Sequence, residues 1–168
     1  MVFKPMFGWL LAIVVINGLT ARPLKAASAL TSQDIILDVT EPGQWRPTEA
    51  QVTEAKAALL SYLSSDDHHA NDPAQNYAEL MRPDIQARIN SYSLQYFGGY
   101  YSWDRSGWDP NGDKEILING LCESFVKTEH IELSKQLVHV NDGGSCFFQA
   151  GYSVAQRKIA HFAVNGRA

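Results

Sequence analysis

Three hydrophobic patterns follow one another along the chain. Phe7 to Leu19 (FGWLLAIVVINGL) is an unbroken apolar run without a charge. From Thr48 the apolar positions recur at helical spacing, with Val52, Ala55, Leu59, Leu60 and Leu63 on one stripe. After residue 90 the period shortens to two, and glycines, aromatics and β-branched residues become frequent.

The first pattern is an address. The run is 13 residues long, against the roughly 20 that a membrane-spanning helix needs. Lys4 precedes it, and Ala27-Ser28-Ala29 follows as a small-residue cleavage site. The sequence therefore predicts a signal peptide over residues 1–29, a single domain over 30–168, and a secreted or periplasmic destination without a membrane span after cleavage. Cleavage after Ala21 is the alternative, and an uncleaved N-terminal anchor is the competing reading. No cysteine closes the run, so a lipid-anchor acceptor is missing there.

The second pattern predicts helices. Thr48 and Gln51 form a capping box, and Glu49 suits the positive first turn. Ser64 to Asp67 stops that helix. Asn71-Asp72-Pro73 starts another, with proline in the first turn; it is expected to reach Met81 and break before Pro83. Asp84 to Ile89 adds a further short turn. Upstream, Asp34 to Val39 reads as a short strand ended by Pro42-Gly43.

The third pattern predicts strands at Tyr92–Tyr101 (bulged at Gly98-Gly99), Lys114–Cys122, Leu137–Val140, Ser145–Tyr152 and Lys158–Val164. Asp109 to Asp113 and Asn141 to Gly144 are turns. Cys146, Phe148, Ala150 and Tyr152 share one face by alternation, as do Ala160, Phe162 and Val164. Helices first and strands afterwards give an α+β fold, with N-terminal helices packed on a curved, mostly antiparallel sheet. The order of elements is that of a cystatin-like or NTF2-like roll.

Charge narrows the partners. Loss of Lys4, Arg22 and Lys25 with the leader takes the 14 basic residues to 11, against 18 acidic ones, so formal charge moves from −4 to −7. An acidic domain without a basic stripe argues against nucleic acid and anionic membrane surfaces. Cys122 and Cys146 both lie in the exported part, and an even count in an oxidising compartment favours a disulfide. Two buried thiols, or a metal site with His130 and His139, are the other readings, although those separations fit no compact zinc motif.

Other candidate chemistry is sparse. Asp66-Asp67-His68-His69 reads as a solvated helix end. Asp109, Asn111 and Asp113 begin like a calcium loop, but Lys114 and Gly120 stand where glycine and glutamate belong. Glu129, His130 and Glu132 resemble a charged surface loop, and Ser145 lacks a nucleophile elbow. His161 alternates with Phe162 and is expected to be exposed on the strand's outer side. No metal or cofactor is called for.

The strings Ile118-Asn119-Gly120-Leu121-Cys122, Val140-Asn141-Asp142-Gly143-Gly144-Ser145-Cys146-Phe147-Phe148 and Val164-Asn165-Gly166 resemble small exported bacterial proteins of no assigned function. The resemblance covers residues 90 to 168. It implies a bacterial origin and a disulfide joining the Cys122 strand to the Cys146 strand, and it carries over no catalytic residue.

Seven aromatics fall between Tyr92 and Trp108: Tyr92, Tyr96, Phe97, Tyr100, Tyr101, Trp103 and Trp108. One strand face buries about half of a strand's side chains. Core filling accounts for most of the set, and Trp103 and Trp108, helped by Tyr101 and Arg105, form the expected ligand-facing rim. The leading expectation is thus an exported, non-catalytic binding domain recognising a protein or an envelope polymer, with inhibitor or immunity roles under that heading. The alternatives are a small NTF2-like enzyme with its pocket between helix and sheet, and a structural envelope component.

Overall fold

The computed structural model describes residues 29–38, 43–65, 73–102, 107–109 and 111–166. Residues 1–28 (which hold the apolar run), the Asp66–His69 cluster, Trp103 and Arg105 lie outside them. Strand β1 (Asp34–Ile36) is followed by α1 (Glu49–Leu63), α2 (Pro73–Arg88), β2 (Tyr92–Ser102), β3 (Gly107–Trp108), β4 (Asp113–Cys122), α3 (Glu123–Thr128), β5 (Phe147–Ser153) and β6 (Lys158–Val164). The sheet has the order β1-β2-β4-β5-β6, with β3 paired to the far end of β2. The β1–β2 pair is parallel and every other pair is antiparallel. The fold is α+β, with an open, mostly antiparallel sheet.

Helix α1 forms where its stripe and cap require it. Thr48 and Gln51 make the reciprocal capping box, and Ser64 closes the C-terminus. Val52, Ala55, Leu59 and Leu63 are buried. They meet Tyr92, Leu94 and Tyr96 of β2, Ile116 and Ile118 of β4, Phe148, Ala150 and Tyr152 of β5, and Phe162 of β6. Phe148 is the hub of this core, with its ring centroid 5.3 Å from that of Tyr92 and 5.6 Å from that of Phe162. Asp34 ties β1 to both layers: Lys56 Nζ donates to it at 2.6 Å and Tyr96 Oη at 2.8 Å. Burial alone would raise its pKa, but the Lys56 ammonium and the hydrogen bonds from Thr31 and Tyr96 outweigh that and hold the carboxyl below the usual range.

Four local expectations need correction. Helix α2 runs through Pro83 to Arg88 instead of breaking. Pro83 faces solvent, while Ala78, Arg82 and Ile85 are buried on either side of it, so packing outweighs the lost backbone hydrogen bond. β2 has no bulge at its glycines; Gly98 opposes Ile116 and Gly99 opposes Glu115 in unbroken register. The irregularity sits instead between Gly151 and Tyr152, so that Ile159 opposes Tyr152. Ile159, not Ala160, therefore joins Phe162 and Val164 against the core. Finally, Leu137–Val140 is not a strand. The glycine turn after it is real, with Gly143 and Gly144 both at positive φ (105° and 58°).

Cys122 ends β4 and Cys146 ends the short turn before β5, with the sulfurs at bonding distance and the Cα atoms 5.0 Å apart. Among the described residues no helix is long and apolar enough to cross a membrane.

Candidate functional site

The sheet face away from the helices is also covered, and this is where polar side chains collect. Gln95 on β2 and Asn119 on β4 are register partners pointing to that face, and both are buried. Gln95 Nε2 donates to the carbonyls of Leu133 (2.7 Å) and Gln136 (2.8 Å). Its Oε1 accepts from Asn119 Nδ2 (3.0 Å) and from the Val138 N–H (3.1 Å). Asn119 Nδ2 also donates to the Val138 carbonyl at 2.9 Å. Two side-chain amides thus supply the bonds that a neighbouring strand would have supplied, and they fix residues 133–138 as a wall standing on the sheet.

Beside this wall runs an open groove of about 690 Å³. Its floor crosses the sheet: Phe97 and Tyr101 from β2, Leu117 from β4, Gln149 from β5, and His161 and Ala163 from β6. Leu37, Asp38 and Gln44 form one bank, and Lys135, Gln136, Leu137 and His139 form the other. The helix-facing side of the sheet is filled by the core described above, so the groove lies on the face opposite to the one where an enzyme pocket was expected.

His161 in the floor is the groove-lining half of an acid–imidazole pair. Glu115 on β4 is 1% exposed. His161 Nδ1 lies 3.3 Å from Glu115 Oε2, within ion-pair range but outside hydrogen-bond geometry. Burial, and secondarily the charge of Asp113, pushes the Glu115 carboxyl up to about 7. Burial pulls the His161 imidazole down to about 4. Tyr101 stacks on the imidazole with ring centroids 4.8 Å apart and planes at 28°. His161 reaches this position by leaning across its register partner on β5, Gly151, where a Cβ would fall 1.8 Å from the imidazole Cε1. The side of the strand foreseen for His161 is correct, but its exposure is not: the side chain is 15% exposed, because Gly151 lets it lie flat over the sheet.

Of the sequence-derived rim, only the Tyr101 side chain falls among the described residues. Tyr101 lines the groove. Trp108 pairs with Tyr101 through the β2–β3 backbone, while its side chain, Trp103 and Arg105 lie outside the described residues. Tyr92, Tyr96 and Phe97 are buried, as core filling required. Asp109 closes the turn before β4 by accepting the Asn111 N–H at 2.8 Å. Glu129, His130 and Glu132 are exposed, and Glu132 pairs with Lys135. Ser145 bonds to Asp84 and Arg88 at the start of the β5 turn. Sequence reasoning missed Glu115, Gln149 and the Gln95–Asn119 tether. The available signal was a strand-interior glycine at 151 together with polar residues recurring on the second face.

No family model matches this chain, and neither a curated protein nor a solved structure does.

Proposed function

We propose that the protein is an exported binding domain that holds its ligand in the groove on the outer face of the sheet. The observation carrying this reading is the groove itself, with Tyr101, Gln149 and His161 in its floor, two polar banks, and the buried Glu115 carboxyl behind the imidazole. The domain binds outside the cytoplasm; the short apolar leader run and the bonded cysteines support that address. Its ligand is an envelope polymer, not a small metabolite, because the groove is open and spans the strands.

Retention on isolated cell-envelope material tests the reading. Replacing Tyr101 and Gln149 together by Ala should release the protein, with a loss of tenfold or more in affinity and the fold kept. Unchanged retention of that variant would place the contact elsewhere.

A further inference from the structure

We propose that the groove takes a neutral, hydroxyl-rich saccharide chain, recognised by side-chain amides along its length and by the Tyr101 ring in its floor. This rests on the groove being the binding site, and it names the chemistry of the occupant.

The aspartate and the lysine on the groove banks are each engaged within the protein. Asp38 on one bank is paired with Arg46, and Lys135 on the other with Glu132. Glu115 and His161 form a buried pair, and burial keeps the carboxyl largely protonated below about 7 and the imidazole uncharged above about 4. A polyanion would also meet an acidic domain of formal charge −7 once the leader is gone. A charged ligand calls for an opposite charge held ready for it, and the Asp38 carboxylate and Lys135 ammonium are already held by Arg46 and Glu132.

What the groove does offer is the amides of Gln136 and Gln149. A primary amide presents donors and an acceptor side by side, which suits a hydroxyl that both gives and accepts. Tyr101, half-buried in the floor, adds an aromatic face for the C–H faces of sugar rings. The floor crosses every long strand of the sheet, from the residues after β1 to β6. At about 4.8 Å between neighbouring strands, that is roughly 19 Å, enough for several linked rings.

A peptide strand suits this site poorly. Strand addition needs free backbone groups at a sheet edge. The groove lies over the sheet's face, where β2, β4 and β5 have spent their backbone bonds on each other.

Affinity electrophoresis of the exported protein tests the proposal. The probes are soluble neutral polysaccharides (dextran, hydroxyethylcellulose, a galactomannan) beside charged ones (chitosan, polygalacturonate). At least one neutral probe should retard the wild type more than either charged probe does. Gln136→Ala and Gln149→Ala should each weaken that retardation fivefold or more. Gln136 is exposed, so its variant reports on binding without disturbing the core. Retardation by a charged probe alone, or by none of the neutral ones, overturns the saccharide. If the charged-probe retardation is itself lost in the two variants, the groove stands and only its ligand class is wrong. Neutral-probe retardation that both variants keep overturns the groove as well.

Discussion

Gly151 and His161 face each other across β5 and β6, and the imidazole lies where a side chain on residue 151 would be, 1.8 Å from an added Cβ. The acid–imidazole pair depends on that missing methyl. Gly151→Ala should push the ring off the sheet and back toward solvent. The cost is that of overpacking, about 1–3 kcal/mol. The imidazole pKa, held down to about 4 by burial, should climb toward its ordinary value. NMR titration of the His161 ring protons measures it; an unmoved pKa would mean that the glycine is not what seats the ring.

The pair also makes a prediction about pH. Glu115 has a folded pKa above its unfolded value of about 4.3. The folded state therefore holds the extra proton, and stability falls as pH rises from about 4.3 to 7. His161 has a folded pKa below its unfolded value of about 6.5, so its contribution rises between about pH 4 and 6.5. Over the shared window the two slopes oppose each other. Glu115→Gln should leave a stability that rises with pH relative to wild type. His161→Gln should leave one that falls, and the double variant should be close to wild type in slope. Urea unfolding at pH 4.5, 5.5 and 6.5 gives the comparison; parallel tilts in both single variants would contradict it.

The wall of the groove is the next test. Gln95→Ala strips a donor from the Leu133 and Gln136 carbonyls and an acceptor from the Val138 N–H. Leaving buried groups unpaired costs about 1–3 kcal/mol each before relaxation, so a loss of about 2–4 kcal/mol is expected. Amide exchange at Val138 should speed up well beyond the global change. Uniform acceleration across the sheet would argue against a local tether.

Much of the fold was legible because its signals were local. The Thr48–Gln51 box and the Val52–Leu63 stripe belong to one helix and need no tertiary context. Pro83 misled because Ile85 and Ala78, distant partners of the sheet, outweigh its local preference. Val138 and Val140 alternate as a strand would, yet Val138 bonds to Gln95 and Asn119 and the Val140 carbonyl accepts from Asn165, all far away in sequence. Period two told which side of β6 His161 occupies. It could not tell that Gly151 would let the ring lie flat beside Glu115, since that pairing depends on register.

Export and the disulfide can be checked together. The mature chain is expected to begin near Leu30, because Ala27-Ser28-Ala29 has the small-residue pattern of a signal cleavage site. Natively exported, unreduced protein should titrate no free thiol. Cys122→Ser or Cys146→Ser should cost about 2–4 kcal/mol, since the bridge closes a separation of 24 residues. An intact residue 1–20 segment, or two titratable thiols, would contradict this.

The central claim is that the ligand lies in the outer groove. Site-specific photo-crosslinking in the exporting cell tests it most directly, with the photoreactive side chain at Gln136 on the groove bank and, as control, at Leu80, the 69% exposed leucine on α2. An envelope-polymer adduct is expected from position 136 and none from position 80. Adducts from position 80 with none from 136 would contradict it.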